Sequence, residues 1–213
     1  MTSFGLYVII TNPVLKHTTI AEICVKHNIK MLQLREKNIS DKQLLSIAKD
    51  IRSITRNSQT NFVINDRPDI AVLAEADYLH LGQDDIPIEK ARKIVGENIK
   101  IGLSTHSIQQ AKIALTKKPN YIGFGPIYPT NAKIKPDKPV GTEQLKQVID
   151  FANIPVVAIG GIFPENIKSI ISAGSKNIAM VRYLMQTKDF EKNLINILNI
   201  LKQWKHNYNM LST

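Results

Sequence analysis

Two aspartates of the chain have the residue type and the positions expected of ligands for a hard divalent cation. Asp66 follows a short apolar run at 62–64, and Asp85 follows the next such run, at 78–81. Mg²⁺ in proteins takes a few carboxylate oxygens together with phosphate oxygens of a substrate. A single aspartate at either position is explained as well by a cap of the following helix. The two together, beside Asn65, predict a Mg²⁺ site.

Three cationic residues are placed to face an anion held by that ion. Arg35 and Lys37 follow the apolar run at 31–34, and Lys133 lies in a long polar segment. Mg²⁺ with two aspartates is neutral, so three cations would match a pyrophosphate ester of about three negative charges, each contact worth on the order of 4 kcal/mol before desolvation. An ordinary surface position is the alternative for either lysine taken alone.

A second anion site is predicted at the glycine pair Gly160 and Gly161, directly after the apolar run at 155–159. Glycine lets main-chain N–H groups approach a phosphate closely, and a helix predicted to begin near Pro164 would add a favourable dipole. Tight turns also use glycine pairs, so the prediction depends on the position after a seventh strand. Two anion sites would suit a transferase that joins two phosphorylated molecules.

Eight short apolar runs, separated by amphipathic segments, must position these residues. The runs predict strands at 6–10, 31–34, 62–64, 78–81, 100–103, 121–124, 155–159 and 177–181. Several are apolar throughout, as in parallel strands covered by helices. Ser40 and Ser107 are predicted helix N-caps, Gly174 a C-terminal cap, and 41–54 a helix. The alternation predicts an α/β fold, a single (β/α)8 TIM barrel over residues 1–213.

The barrel hypothesis explains where the polar residues occur, because functional side chains of such barrels lie at the C-terminal ends of the strands. The polar segment 129–141 contains three prolines and is long for a strand-to-helix connection. We expect it to cover that rim as a lid. His80 and His106 also lie at strand ends, where a packed, hydrogen-bonded histidine is the more common case.

Composition limits the partners and the compartment. The chain has 213 residues and a net charge of +10, but its lysines are spread out with no arginine-rich tract or aromatic platform, so we expect no nucleic-acid partner. No apolar run approaches the roughly 20 residues that span a bilayer. Residues 1–11 lack a basic region and a small-residue cleavage site, so we expect no secretory signal. Cys24 is the single cysteine, which favours a reducing, cytoplasmic location.

These motifs resemble those of the thiamine phosphate synthase family, also called thiamine-phosphate pyrophosphorylase. The resemblance covers nearly the whole chain. It is carried by Gln33-Leu34-Arg35-Glu36-Lys37, Asn65-Asp66, His80-Leu81-Gly82-Gln83-x-Asp85, Ser104-x-His106, Gly125-Pro126-Ile127-Tyr128-Pro129-Thr130 and Ile159-Gly160-Gly161-Ile162. It implies a transferase that condenses hydroxymethylpyrimidine pyrophosphate with hydroxyethylthiazole phosphate, or its carboxylated form, through a Mg²⁺-assisted dissociative displacement.

The resemblance also implies a role for each matching residue. The pyrimidine pyrophosphate would be bound by Gln33, Leu34, Arg35, Glu36, Lys37, Asn65 and Ser104, and Asp66 and Asp85 would ligate Mg²⁺. The thiazole phosphate would be bound by Thr130, Asn131, Ala132, Gly161, Val181 and Arg182. Arg35, Lys37 and Lys133 would be the catalytic groups, because they stabilise the departing pyrophosphate.

Two positions depart from the family pattern, and two other functions stay open. Ala132 stands where a threonine is expected, and Arg182 stands where a serine is usual. A guanidinium there would either clasp the thiazole phosphate or crowd it. A thiazole tautomerase of the TenI type and a non-catalytic binding paralogue are the alternatives, the first disfavoured by Asp66 and Asp85. A homodimer is left open.

Overall fold

The chain forms a closed barrel of eight parallel strands in the order of the sequence, in a computed structural model. The structure describes residues 3–130 and 137–211, with side chains up to Trp204. The strands are β1 (Gly5–Ile10), β2 (Met31–Leu34), β3 (Asn61–Asn65), β4 (Tyr78–Leu81), β5 (Lys100–Thr105), β6 (Tyr121–Phe124), β7 (Val156–Ile159) and β8 (Asn177–Met180). β8 pairs with β1 and closes the sheet. The predicted TIM barrel is confirmed.

Helices follow the strands around the outside of the barrel. They are α1 (His17–Lys26), α2 (Asp41–Thr55), α3 (Pro68–Leu73), α4 (Ile88–Val95), α5 (Ile108–Thr116), α6 (Gly141–Phe151), α7 (Ile167–Ser172), α8 (Arg182–Met185) and α9 (Phe190–Leu211). Among the described residues, no helix is both long and apolar enough to cross a membrane.

The barrel has two separate apolar cores, one on each face of its strands. The larger core fills the space between the strands and the helices. The smaller core fills the barrel interior and consists of Phe4, Tyr7, Ile9, Met31, Val63, Tyr78, Tyr121, Val157 and Ala179. Because successive side chains of a strand point to opposite faces, every second residue of each strand faces inward. Residues that end a strand in this inward register therefore line the mouth of the barrel.

The helix boundaries follow local capping chemistry. Ser40 begins α2 with a reciprocal capping box to Gln43, and the Ser107 side chain accepts a hydrogen bond from the Gln110 N–H at the start of α5. Gly174 follows the end of α7 with φ +94°, a conformation that favours glycine. All three predicted caps are confirmed.

The prediction for Pro164 is wrong. Pro164 was expected in the first turn of a helix, but α7 begins only at Ile167. The Asn166 side chain accepts a hydrogen bond from the Phe163 N–H at 2.9 Å and donates one to the Gly161 carbonyl at 2.8 Å. These bonds hold the segment before α7 in a turn. The helix N-terminus that was predicted to lie beside Gly160 and Gly161 therefore begins further along the chain, at Ile167.

Candidate active site

Asp66 is held at the mouth of the barrel by the end of β3. Its N–H donates a hydrogen bond to the His80 carbonyl of β4 at 2.8 Å, and its backbone has the left-handed φ of +62°. Aspartate tolerates this region better than most residues. The turn directs the carboxylate toward the connection that follows β4.

Asp85 is brought back to the barrel by the short loop between β4 and α4. Its Oδ2 accepts a hydrogen bond from the Gly82 N–H at 2.6 Å. A Cβ at position 82 would lie 2.9 Å from the same oxygen, so the close approach requires glycine. The carboxyl groups of Asp85 and Asp66 lie close enough to interact directly, and each shifts the pKa of the other. The two aspartates therefore converge, as their positions on neighbouring strands predicted.

The pKa values of Asp66 and Asp85 are shifted in opposite directions, as expected for two neighbouring carboxyl groups. Burial and the hydrogen bond to Asp66 raise the pKa of Asp85 to about 6. Burial opposes ionisation of Asp66 too, but hydrogen bonds from Asp85 and Lys37 hold the pKa of Asp66 below its usual value. The Lys37 Nζ lies 2.9 Å from Asp66 Oδ2. Two adjacent carboxyls of which one is ionised are a donor set that a divalent cation fits, because the cation can replace the shared proton.

The pair is not a complete protein cage for a metal. Among the described residues, no group of three or more His, Cys, Asp or Glu side chains is arranged to hold an ion. Mg²⁺ commonly binds through one or two carboxylates and completes its shell with water and substrate phosphate oxygens. The Asp66–Asp85 pair suits that kind of site.

A second group of predicted residues lies on the inward faces of the strands. Gln33, Asn65 and Ser104 each follow an inward position two residues earlier on β2, β3 and β5, and Gln33 is fully buried. The Gln33 Nε2 donates to the Tyr7 hydroxyl at 2.6 Å, while the Ser104 hydroxyl lies 2.8 Å from His80 Nε2. These side chains form the floor of the mouth.

Leu34, Arg35 and Glu36, which belong to the same motif as Gln33, each have different surroundings. The Leu34 side chain is buried in the outer core, so any contact of Leu34 with a substrate is through its main chain. The Glu36 carboxylate accepts bonds from the Asn12 N–H and His17 Nε2 at 3.0 and 2.9 Å and holds the β1–α1 connection in place. Arg35 is half-buried, and its guanidinium makes no hydrogen bond or ion pair with any other residue that the structure describes.

Comparison with known proteins agrees with this geometry. The sequence profile of the family described as thiamine monophosphate synthase matches residues 6–184. The thiamine-phosphate synthase of Lawsonia intracellularis is 44% identical over 157 residues, which is 74% of this chain and 72% of that protein. The enzyme of the same name from Clostridium novyi is 38% identical over 202 residues, covering 92% of this chain and 98% of that protein. This chain belongs to the thiamine monophosphate synthase family.

A solved structure supports the same assignment. The thiamine phosphate pyrophosphorylase of Pyrococcus furiosus superposes with a TM-score of 0.84 at 32% identity, covering 94% of this chain and 96% of that one. A barrel described as native KDPGal has a TM-score of 0.71 at 15% identity, which shows the fold alone. The protein is thus an enzyme of the thiamine-phosphate synthase type, as the sequence motifs predicted.

Close packing against the loop after β6 accounts for the glycines at positions 160 and 161. Gly160 and Gly161 have φ values of +98° and +65°. A Cβ at Gly160 would lie 2.5 Å from Pro126, and one at Gly161 would lie 2.7 Å from Tyr128 Cβ. The Tyr128 N–H also donates to the Gly160 carbonyl at 3.1 Å. The pair therefore lets the loops after β6 and β7 meet, and its role as a phosphate site stays a prediction.

The other predicted thiazole-side residues lie around the end of β8. Val181 follows β8 and precedes α8, which begins at Arg182. The Arg182 guanidinium lies over the Phe163 ring, with Cζ 5.4 Å from the ring centroid. Thr130 is the last residue described before the gap, while Asn131, Ala132 and Lys133 lie outside the described residues, so their predicted roles stay predictions.

Sequence reasoning missed two buried tyrosines inside the barrel of this chain. The Tyr7 and Tyr121 hydroxyls lie 2.9 Å apart inside the barrel, and His80 Nδ1 lies 2.9 Å from the Tyr121 hydroxyl. Burial raises the pKa of both phenols well above the usual value, so both stay neutral. The inward register of both residues on their strands was the available signal.

Proposed function

We propose that this enzyme condenses hydroxymethylpyrimidine pyrophosphate with hydroxyethylthiazole phosphate, or its carboxylated form, to give thiamine phosphate and pyrophosphate, with the carboxyl group of the carboxylated form released as carbon dioxide. Membership of the family supports the reaction type, since its relatives carry that enzyme name. The single observation that carries the site assignment is the contact between the Asp66 and Asp85 carboxyls with Lys37 beside them.

The leaving pyrophosphate binds beside the aspartate pair and the cationic side chains at the mouth of the barrel. Asp66 and Asp85 hold Mg²⁺, which when bound supplies positive charge to the departing diphosphate. Lys37 and Arg35 donate charge-assisted hydrogen bonds to the same group, and Lys133 reaches it from the 129–141 segment. The guanidinium of Arg35 makes no hydrogen bond to any described residue, so no bond within that part of the chain has to break before it binds an anion.

The floor of the mouth holds the pyrimidine ring. Gln33, Asn65 and Ser104 orient it so that its amino group donates electron density as the C–O bond to pyrophosphate breaks. The resulting cation is captured by the thiazole nitrogen, and the bond pair of the broken C–O bond leaves with the pyrophosphate. No side-chain nucleophile takes part. The only cysteine, Cys24, is fully buried, and burial raises the pKa of its thiol far above neutrality.

The second substrate is held on the opposite side of the mouth. The thiazole phosphate is bound by the main chain near Gly161 and Val181, by Thr130, Asn131 and Ala132, and by the Arg182 guanidinium. This arrangement positions the thiazole nitrogen to reach the cation before water does. A cytoplasmic location, the lack of a nucleic-acid or membrane partner, and a homodimer stay predictions.

A product assay tests the proposal. The purified protein is incubated with both substrates and Mg²⁺, and thiamine phosphate and pyrophosphate are measured together. We expect equal amounts of the two products and loss of turnover in excess chelator. Absence of both products would refute the reaction, and an unchanged rate in chelator would refute the metal role. Rapid interconversion of thiazole carboxylate tautomers without pyrimidine would instead support the tautomerase.

A matched pair of variants tests the site itself. Asp85→Asn removes one charge of the pair, whereas Asp84→Asn removes the same charge from the exposed neighbouring residue. We expect Asp85→Asn to lose kcat by about 100-fold or more and Asp84→Asn to keep wild-type kcat. Equal effects of the two changes would show that Asp85 contributes only general negative charge.

A further inference from the structure

A continuous hydrogen-bond chain crosses the interior of the barrel and joins two of the residues assigned to the pyrimidine. Its members, in order, are Gln33, Tyr7, Tyr121, His80 and Ser104, from β2, β1, β6, β4 and β5. The four contacts measure 2.6, 2.9, 2.9 and 2.8 Å. We call this set the internal hydrogen-bond chain.

The orientation of the Gln33 amide, with its nitrogen toward Tyr7, sets the direction of the chain. The Gln33 amide N–H donates to the Tyr7 hydroxyl, so Tyr7 has its own hydrogen left to donate to Tyr121. Were Tyr121 the donor instead, the Tyr7 hydrogen would be buried without an acceptor among the described residues, and such a group is costly. Tyr121 therefore donates to His80 Nδ1, and His80 carries its ring hydrogen on Nε2.

The direction of the chain determines what its two ends present. His80 Nε2–H donates to the Ser104 oxygen, so the Ser104 hydrogen is left to donate to a ligand. One of the two Gln33 N–H hydrogens is committed to Tyr7, which turns the amide so that the Gln33 Oε1, bonded to no described residue, is left to accept. The mouth of the barrel then offers one acceptor and one donor on opposite sides of the same floor.

We propose that Tyr7, Tyr121 and His80 are positioning residues that fix this polarity, so that Gln33 accepts from the exocyclic amino group of the pyrimidine and Ser104 donates to a ring nitrogen. The proposal rests on the proposed function, because it takes the aminopyrimidine as the ligand. An aminopyrimidine presents an amino donor on one side of its ring and a ring-nitrogen acceptor on the opposite side, and an oxo analogue presents an acceptor where the amino group presents a donor.

Packing keeps the chain from reversing or shifting. The Tyr121 ring contacts the Phe4, Tyr7 and Tyr78 rings with centroids 5.8 to 6.0 Å apart and stacks on His80 at 5.5 Å. Gly102 leaves the space for this ring, since a Cβ there would lie 2.1 Å from Tyr121 Cζ. Tyr7, Tyr121 and Gln33 are buried, so their bonds exchange little with water.

The tautomer of His80 tests the polarity directly and without any substrate. ¹⁵N NMR of histidine-labelled protein, with His80 assigned by comparison with His80→Gln, reports which ring nitrogen carries the hydrogen. We expect Nε2–H at His80. The Nδ1–H form would make His80 the donor to Tyr121 and would overturn the proposal, as would an imidazolium with hydrogens on both ring nitrogens.

Ligand discrimination tests the consequence. The probes are hydroxymethylpyrimidine pyrophosphate and its analogue with an oxo group in place of the amino group, and the readout is their ratio of Kd values by calorimetry. We expect wild type to prefer the amino form by about 10-fold or more, and Tyr121→Phe to lose most of that preference, because one hydrogen bond governs about this factor.

Tyr78→Phe is the matched control for Tyr121→Phe. Tyr78 belongs to the same inner core, with its ring 6.0 Å from that of Tyr121, but its hydroxyl is not part of the chain. We expect Tyr78→Phe to keep the wild-type preference. Full discrimination in Tyr121→Phe, or equal loss in Tyr78→Phe, would refute the positioning role. Failure of wild type to bind the amino form at all would instead refute the proposed function.

Discussion

The carboxyl groups of Asp66 and Asp85 interact directly at the mouth of the barrel, where burial and this contact raise the pKa of Asp85 to about 6 while the pKa of Asp66 stays below its usual value. In the proposed metal site, this contact would couple Mg²⁺ binding to protonation of the pair. It also places an unfavourable charge interaction in the metal-free enzyme at neutral pH, where both carboxyls tend to ionise.

The stability of the metal-free protein should therefore depend on pH through Asp85. Its pKa of about 6 in the fold exceeds that of an unfolded aspartate, so the folded state binds the extra proton. The resulting stabilisation is present at low pH and is lost as the pH rises through about 4 to 6. The lowered pKa of Asp66 acts oppositely and at lower pH. We expect Asp85→Asn to be more stable than wild type at pH 8 by about 1 kcal/mol, allowing for solvent screening.

Thermal unfolding in chelator at pH 5 and pH 8 measures this difference. An increase of a few degrees in Tm at pH 8, with a smaller one at pH 5, is the expected result. Asp84→Asn serves as the control, because Asp84 is exposed. If Asp85→Asn were less stable than wild type at both pH values, the hydrogen bond to Gly82 would outweigh the repulsion.

Addition of Mg²⁺ should reverse the order of stability. A ligand that binds only the folded state stabilises it by about 2.7 kcal/mol at 100 times its Kd. We expect Mg²⁺ to raise the Tm of wild type and of Asp84→Asn, and to leave Asp85→Asn nearly unchanged. An equal Mg²⁺ response in all three proteins would place the metal elsewhere. This readout needs neither substrate nor turnover.

Much of this site was predictable because parallel strands keep their order. Each strand was visible as an apolar run, and neighbouring strands end at the same rim, so the meeting of Asp66 and Asp85 follows from sequence order alone. The prediction for Pro164 failed because the competing side-chain bonds of Asn166 cannot be read from helix signals. The Tyr7–Tyr121 contact joins residues 114 positions apart and appears only when the barrel closes.

Lys37 should act on the leaving group rather than on the second substrate. Its Nζ already lies 2.9 Å from Asp66 Oδ2, beside the proposed diphosphate position. We expect Lys37→Ala to lower kcat by about 100-fold, a typical loss for one group that stabilises transition-state charge. The KM for thiazole phosphate should change little. Steady-state kinetics checks both constants, with Lys42→Ala, an exposed lysine of α2, as the control. A defect confined to thiazole KM would contradict the assignment.

Gly102 should be required for the packing of Tyr121. Gly102→Ala places a Cβ about 2 Å from the buried ring, and overpacking of this kind costs about 1–3 kcal/mol. We expect a lower urea midpoint with an unchanged m-value. Gly123→Ala on the next strand is the matched control, because its Cβ would lie at an ordinary 3.6 Å from His80. Equal effects of the two substitutions would show a general strand penalty rather than a clash with Tyr121.

Arg182 is predicted to bind the phosphate of the second substrate. Its guanidinium lies over Phe163 and makes no hydrogen bond or ion pair with the side chains that the structure describes, so both ends of its planar fork are available to a phosphate. We expect Arg182→Ala to raise the KM for thiazole phosphate by about 10-fold, the factor that one charge-assisted hydrogen bond provides. The KM for the pyrimidine pyrophosphate, measured in the same variant, should stay unchanged. Arg182→Lys should recover only part of the loss, because an ammonium cannot bind a phosphate through a planar pair of donors. If Arg182→Ser lowered the thiazole KM instead, the arginine would crowd the phosphate rather than clasp it.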